Sequence, residues 1–148
     1  MTDTALSVLL VEDDPGDVLL VKEAFAGRRA AEALSVVSDG VQALAFVRAE
    51  GDYRAARRPD LVLLDLNLPR KNGREVLAEI KGDRELATIP VVVLTTSEAE
   101  EDVLRSYELH ANAYVTKPVD LDRFIATVRQ IDEFFIDLAK LPPQRPAL

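Results

Sequence analysis

The chain has 148 residues, of which 48% are hydrophobic and 30% charged, which is the size and composition of one globular domain rather than of a disordered or fibrous protein. Its lack of cysteine excludes disulfides, thiolate metal sites and cysteine nucleophiles, and its net charge of −8 argues against a nucleic-acid partner. No apolar run approaches the roughly 18 residues of a spanning helix, and the first residues lack the basic flank of a secretory signal, so we expect a cytoplasmic protein with no membrane partner.

Short apolar runs alternate with longer amphipathic stretches along the chain, which is the pattern of βα units around a parallel sheet. The third run is the most hydrophobic, so we predict that it lies near the centre of the sheet. Five such units predict an α/β sandwich of three layers. In chain order, the predicted strands are Ser7 to Val11, Leu34 to Ser38, Leu61 to Leu66, Val91 to Thr95 and Ala113 to Thr116.

Helix signals follow each predicted strand. Asp14 is predicted to be the N-cap of the first helix, with Pro15 in its first turn, and Asp17 suits the positive end of that helix. Ser97 and Glu100 form the S-x-x-E pattern of a capping box for the fourth helix. The polar segment 50–59 is predicted to be a loop. The other helices are predicted at about 41–49, 74–81 and 120–140, and the fourth is predicted to end near 109.

The last helix carries apolar residues spaced alternately three and four apart, which is the period of a helix seam. One side can cover the sheet, but the helix is too long for five strands to cover entirely, which predicts a homodimer through this helix. A wide core-facing side with a frayed tail is the alternative. Two prolines should end the helix, which gives a domain of 1–141 and a disordered tail of 142–148. The seam consists of Leu121, Phe124, Val128, Ile131, Phe135 and Leu138, and Ile125, Phe134 and Ile136 widen it.

Polar groups follow several of the predicted strands, at the carboxyl ends where ligands bind in open parallel sheets. Because these ends meet at one edge of a sheet, the sequence predicts a single rim of acids, hydroxyls and one amine. The groups are Glu12, Asp13 and Asp14 after the first strand, Asp65 at the third, Thr95 at the fourth and Lys117 after the fifth.

Carboxylates that are brought together repel one another unless they hold a metal, share protons or pair with a cation. Oxygen ligands without histidine or cysteine select a hard ion, and Mg²⁺ fits because it needs only one or two carboxylates plus phosphate oxygens. The alternative is that Glu12, Asp13 and Asp14 are only the acidic start of a helix, which the helix dipole favours. From the residues alone, both interpretations remain.

Asp65 closes an apolar run, where a charged residue costs free energy unless the position requires it. A carboxylate can attack phosphorus and form an aspartyl phosphate when a metal and a cation neutralise the developing charge. Lys117 supplies the cation, and the Thr95 hydroxyl can donate to a phosphoryl oxygen. A solvated loop aspartate is the alternative interpretation of Asp65.

In this order on successive strands, these residues resemble the receiver domains of bacterial two-component response regulators. The stretches that carry the resemblance are LLVEDDP, LVLLDLNLPRKNG, PVVVLTTS and AYVTKP, and it extends from about Ser7 to Leu138. The resemblance implies a flavodoxin-like fold with five parallel strands in the order 2-1-3-4-5 and five helices, the last one extended. It also implies a phosphoprotein of a phosphorelay, which is no enzyme beyond its own phosphorylation and dephosphorylation.

By this resemblance, Asp65 is the phosphoacceptor and takes its phosphoryl group from a phosphohistidine of a sensor histidine kinase. Asp13 and Asp65 are the direct Mg²⁺ ligands that the resemblance implies, and Glu12 would act through water. Asn67 would contribute its backbone carbonyl to the ion.

Thr95 and Lys117 match the hydroxyl and the lysine that contact the phosphoryl group in the family, and Tyr114 matches its switch aromatic. In the family, the hydroxyl moves toward the phosphoryl group and the ring swings inward behind it. This alters the face of the fourth helix, fifth strand and fifth helix, through which a downstream protein or phosphotransfer protein would be contacted. Ordinary packing is the alternative for Tyr114. The Lys117–Pro118 peptide bond is typically cis in the family.

Two departures from the common family pattern stand out. The first acid is Glu12 rather than aspartate, which leaves its ligation geometry open, and the loop 50–59 is longer than usual. The long loop and the stretches VEDDPGD, LTTS and YELHANAYVTKPVD resemble the stand-alone regulators that partner bacterial phytochromes.

Three other classes are alternatives. A phosphatase of the haloacid dehalogenase type needs an acid two residues after Asp65, where Asn67 cannot supply a proton. A flavodoxin-like cofactor protein needs a phosphate-binding loop after the first strand, where acids stand instead. A receiver that is not phosphorylated would be only an interaction module, which the complete set of acids, hydroxyl and lysine argues against. His110 is the only histidine, and we predict it at the surface or at a helix end.

Overall fold

A computed structural model of the chain describes residues 6–28, 31–138 and 140–143. Within these residues, five strands form one parallel sheet in the order β2-β1-β3-β4-β5, as predicted. The central pairing is in register, with Leu10 of β1 opposite Val36 of β2 on one side and Leu63 of β3 on the other. All five carboxyl ends therefore lie at one edge. The strands are β1 (Val8–Val11), β2 (Leu34–Val37), β3 (Leu61–Leu64), β4 (Val91–Thr95) and β5 (Ala113–Thr116).

Each helix lies between strands or after the last one, and side-chain caps fix where most of them begin. The Asp14 side chain accepts hydrogen bonds from the backbone N–H groups of Gly16 and Asp17, which confirms the predicted N-cap. Asp120 caps the last helix in the same way. The helices are α1 (Pro15–Phe25), α2 (Gly40–Val47), α3 (Gly73–Gly82), α4 (Glu100–Glu108) and α5 (Leu121–Asp132), with short 3₁₀ turns at Ala31–Ala33 and Gly51–Tyr53.

The alternation of side chains along β1 shows how the sheet is covered on both faces. Val8 and Leu10 pack with residues of α1 and α5, whereas Leu9 and Val11 pack with residues of α2 and α3. All four are buried. Helices on both faces of a parallel sheet make the predicted three-layer sandwich, and they leave the carboxyl edge of the sheet accessible.

The predicted capping box of the fourth helix is wrong. α4 begins at Glu100 after Ala99, and no side chain caps it. The Ser97 hydroxyl instead donates to the Asp102 carboxylate, which also accepts a hydrogen bond from Arg74 of α3. Because the helix begins only after Ala99, Ser97 lies two residues before the N-cap position, where its oxygen accepts a 3.4 Å hydrogen bond from the Ala99 N–H. Ser106 is the one buried residue of α4, so this helix has few contacts with the core.

The last helix is described as far as Leu138, whereas the sequence predicts it to about residue 140, and its final turn changes form. Residues Glu133–Leu138 form a π-helix, in which about one more residue is needed to return to the same face. As a result Ile136, five residues after Ile131, is buried at 5% exposure, while Phe135 is only half-buried. Leu121, the first residue of the predicted seam, is exposed and does not cover the sheet.

The predicted tail lies mostly outside the described residues. Residues 140–143 are not helical, and residues 139 and 144–148 are not described. His110 is exposed just after α4 with a φ of 70°, which confirms the prediction of a surface or helix-end position. None of the described helices has the length and apolar character to cross a membrane.

Candidate functional site

Glu12 and Asp13 follow β1 at the carboxyl edge of the sheet and lie in different environments. Glu12 is buried, and its Oε2 accepts hydrogen bonds from the backbone N–H groups of Asp13 and Asp14 at 3.1 and 3.2 Å. Burial raises the pKa of Glu12 to about 7, although the hydrogen bond from Lys117 opposes this shift. Asp13 is exposed. One acid is thus fixed by donors of the protein, and the other faces solvent.

Asp65 follows β3 directly and is 7% exposed. Its Oδ1 accepts a hydrogen bond from the backbone N–H of Asn67 at 3.2 Å. The start of α3 lies against this position, because a Cβ added at Gly73 would stand 2.2 Å from the backbone carbonyl oxygen of Asp65. Only glycine permits this approach, so Gly73 and the Asn67 bond together fix the Asp65 carboxylate at the rim.

Lys117 is the cation of the site, and it reaches three carboxylates. Its Nζ donates to Glu12 Oε1, to Asp17 Oδ2 at 2.8 Å and to Asp65 Oδ2 at 3.2 Å. Burial by itself would lower the pKa of Lys117, but the bonds to Asp17 and Glu12 outweigh burial and raise that pKa. The amine therefore stays charged at neutral pH and offsets part of the acidic cluster.

The acids of the rim fit a hard divalent cation. Glu12, Asp13 and Asp65 each offer a carboxylate oxygen, and these oxygens lie within 4.8 Å of one another. Such an all-oxygen set, without histidine or cysteine, suits Mg²⁺ or Mn²⁺ rather than zinc or copper. Asp13 is the most exposed of the three, which leaves room for waters or phosphate oxygens beside the ion.

Thr95 and Tyr114 lie on the two strands beyond β3. Thr95 is fully buried, and its Oγ1 has no hydrogen-bond partner within the part of the chain that the structure describes. Tyr114 is half-buried, and its hydroxyl donates to the backbone carbonyl of Ser97 at 2.9 Å. The ring therefore ties β5 to the loop between β4 and α4. An orphaned buried hydroxyl beside Asp65's strand is a donor that a phosphoryl oxygen could use.

Among models of protein families, that of the response regulator receiver domain matches residues 8–129 of this chain. This chain belongs to the response regulator receiver family. Response regulator Rcp1 of Synechocystis sp. is 48% identical over 135 residues, which are 91% of this receiver and 92% of Rcp1. The crystal structure of the phosphorylated cyanobacterial phytochrome response regulator RcpA is 48% identical with a TM-score of 0.92, covering 95% of this receiver and 100% of RcpA. The crystal structure of the Mn²⁺-bound form of Rcp1 is 45% identical with a TM-score of 0.87, covering 93% of this receiver and 99% of Rcp1.

Family membership confirms the resemblance that the motifs predict and sets aside the phosphatase and cofactor-binding alternatives. The geometry of this receiver brings Glu12, Asp13, Asp65 and Lys117 together. The roles of these side chains, and of the Asn67 carbonyl, stay predictions. The described residues contain no cis peptide bond, so the cis form expected for Lys117–Pro118 is wrong, and the lower-energy trans bond still lets the lysine reach the site.

Sequence reasoning missed the part that Asp17 plays in this receiver. The sequence predicts Asp17 only as an acid at the positive end of α1, whereas its carboxylate accepts a hydrogen bond from Lys117, 100 residues away in sequence. The available signal was the place of Asp17 in the first turn of α1, which begins at the carboxyl end of β1 beside the rim. That place could not name Lys117 as the partner.

Proposed function

We propose that this receiver is a phosphorylation switch in which Asp65 accepts a phosphoryl group from a phosphohistidine of a sensor histidine kinase. One observation carries the proposal: the Lys117 ammonium lies 3.2 Å from Asp65 Oδ2, inside a cluster of acids that fits a divalent cation. An ion pair alone would need no further acids at the same place. A nucleophile, a fixed cation and convergent oxygen ligands are the groups that phosphoryl transfer to a carboxylate requires.

In the proposed reaction an oxygen of the Asp65 carboxylate attacks phosphorus, and the phosphorus–nitrogen bond of the phosphohistidine breaks. The imidazole leaves with the electron pair of that bond and takes a proton from solvent. Lys117 offsets the charge on the phosphoryl oxygens, and the Thr95 hydroxyl donates to one of them, which gives this buried group its partner. The acids of the rim would hold Mg²⁺, which would supply further charge neutralisation. We expect no turnover of other substrates.

The proposed Mg²⁺ ligands are Asp13, Asp65 and the backbone carbonyl of Asn67, with Glu12 acting through water. The different environments of the two acids support this division. Glu12 already accepts hydrogen bonds on both carboxylate oxygens, from Lys117 on one and from two backbone N–H groups on the other. Asp13 faces solvent, where an ion that keeps several waters can be bound.

We propose that the signal leaves through the switch face, which is the surface formed by α4, β5 and α5. Tyr114 supports this role because it contacts the loop after Thr95 through the Ser97 carbonyl. α4 buries only Ser106, so its displacement would disrupt little of the core. The output would be contact with a downstream protein or passage of the phosphoryl group to a phosphotransfer protein, and no nucleic acid would be bound.

We propose a kinase of the bacterial phytochrome kind as the partner, because RcpA, described as a phytochrome response regulator, is 48% identical over 95% of the chain. We also propose a homodimer through the last helix, where Phe134 remains 55% exposed. Sedimentation before and after phosphorylation tests the dimer. Phe134→Glu should abolish it, and Val41→Glu, on α2 across the sheet, is the matched control. A monomer at high concentration in both states would contradict the dimer.

Treatment with acetyl phosphate and Mg²⁺, followed by intact-mass measurement, tests the switch itself. The wild type should gain one acid-labile phosphoryl group, and Asp65→Ala should gain none. Asp52→Ala, which removes an exposed acid from the Gly51–Tyr53 turn, is the control and should be labelled like the wild type. Equal labelling of Asp65→Ala would overturn the assignment, and an unlabelled wild type would favour a pure interaction module.

A further inference from the structure

The Lys117 ammonium is shared between the interior of the site and the first turn of α1. Two of its carboxylate partners, Glu12 and Asp65, have side chains that are 3% and 9% exposed. The third, Asp17, is 23% exposed and accepts its hydrogen bond at 2.8 Å, shorter than the 3.2 Å bond to Asp65. Asp17 therefore binds the ammonium on the side of the site that is more accessible to solvent. The hydrogen bond to Asp65 is the longer of the two.

An ammonium group has three N–H donors, and these three carboxylates use all of them. Without Asp17, the donors would be divided between Glu12 and Asp65, the two buried acids. A stronger bond to Asp65 would withdraw charge from the oxygen that must attack phosphorus. It would also draw the cation inward, away from the place where a phosphoryl group enters.

Asp17 is well placed to hold the amine outward. It lies in the first turn of α1, where the helix dipole stabilises a carboxylate. Its backbone N–H donates a hydrogen bond to Oδ1 of the N-cap Asp14 at 3.4 Å. α1 packs against α5 through buried Val21, Phe25 and Val128, so the position of Asp17 is fixed by the core. Because the Asp17 carboxylate has a fixed position, it determines where the ammonium at the end of the flexible Lys117 side chain is held.

We propose that Asp17 is a positioning residue for phosphoryl transfer: it holds the Lys117 ammonium at the outer side of the site, partly withdrawn from Asp65. The inference rests on the proposed function of Asp65. Asp17 is not expected to touch the phosphoryl group or the metal ion. Its effect passes through Lys117, so it depends on the hydrogen bond that Asp17 accepts and not only on its charge.

The test is the initial rate of phosphorylation by saturating acetyl phosphate with Mg²⁺, measured by intact mass for variants that retain the wild-type circular dichroism spectrum. Asp17→Ala removes both the charge and the acceptor, and its rate should fall about tenfold, or about 1.4 kcal/mol. Asp17→Asn keeps an acceptor oxygen at the same place and should lose only about threefold. Glu23→Ala, which removes an exposed acid from the same helix, is the matched control and should transfer at the wild-type rate.

The pair of Asp17 variants separates positioning from simple charge repulsion. If Asp17 only repelled the anionic donor, both variants would be phosphorylated faster than the wild type, and that result would overturn the inference. Wild-type rates in both variants would overturn it as well. A wild type that takes no label would count against the proposed function instead.

The ammonium can also be followed in the metal-free protein, without any transfer reaction. Proton exchange at a lysine held by three carboxylates is slow, so the Lys117 ammonium signal should be visible by ¹⁵N NMR in the wild type. It should broaden or shift in Asp17→Ala and stay unchanged in Glu23→Ala. An unchanged signal in Asp17→Ala would mean that Asp17 does not hold the amine.

Discussion

Replacing Thr95 by valine should stabilise the unphosphorylated protein while impairing its response to phosphorylation. Thr95 is 0% exposed, and its Oγ1 has no hydrogen-bond partner among the described residues. Burying a hydroxyl without a partner costs about 1–3 kcal/mol. Valine keeps the β-branched shape and removes the hydroxyl, so the free energy of unfolding should rise by about 1–2 kcal/mol.

Urea unfolding of the metal-free proteins measures this difference, and each kcal/mol should also raise Tm by roughly 2–4 °C for a chain of this size. Ser106→Ala is the matched control, because Ser106 is also fully buried with an orphaned hydroxyl but lies on α4. The free energy of unfolding of Ser106→Ala should rise by less than that of Thr95→Val, because alanine leaves a small gap. After phosphorylation the advantage of Thr95→Val should shrink or reverse, because the wild-type hydroxyl then has a phosphoryl oxygen as its acceptor.

A Thr95→Val protein that is less stable than the wild type by more than about 0.5 kcal/mol would refute this reasoning. Such a loss would mean that the hydroxyl already has an acceptor inside the folded protein. If Thr95→Val is more stable than the wild type by the same amount before and after phosphorylation, the predicted hydrogen bond from Thr95 to the phosphoryl group is refuted.

Three further predictions concern the last helix and one lysine. By urea unfolding at a protein concentration at which the chain is monomeric, Ile136→Ala should cost about 2–5 kcal/mol, since Ile136 is 5% exposed. Phe134→Ala should cost only about 0.5–1.5 kcal/mol, since Phe134 is 55% exposed and loses mainly its edge contact with Phe135. Asp120→Ala should lower Tm by removing the cap of α5, a loss of about 1 kcal/mol. Burial lowers the pKa of Lys81 from 10.5 to about 8, so the unfolded chain binds the extra proton between those pH values. Stability should therefore rise with pH there, by at most about 1.4 kcal/mol per unit, and Lys81→Met should abolish the rise.

Each of these predictions has a result that contradicts it. Equal losses for Ile136→Ala and Phe134→Ala would mean that the π-helical turn does not select the buried residue. An unchanged Tm in Asp120→Ala would mean that its side chain does not cap α5. If the wild type and Lys81→Met show the same slope of stability with pH in urea unfolding, Lys81 has its ordinary pKa in the folded protein.

The strands, most helix starts and the rim that carries the site could be predicted from the order of the amino acids alone. Strands such as β3 and β4 are uninterrupted apolar runs, and caps such as Asp14 are hydrogen bonds between neighbouring residues. Asp65 and Lys117 could be placed at one edge because parallel strands bring their carboxyl ends together. All of these features depend on local chemistry or on a rule of topology, so no coordinates are needed to predict them.

Which side chains contact one another at the rim and in the last helix depends on how the helices pack on the sheet. Ser97 does not cap α4, because the helix begins only after Ala99, and its hydroxyl donates to Asp102, which also binds Arg74 of α3. Ile136 replaces Phe135 as the buried residue, because the last turn changes its period against the core. Asp17 holds Lys117 because the packing of α1 on the sheet brings it there. Contacts between residues distant in sequence depend on distances that neither spacing nor composition records, and they decide how the charge in the site is shared.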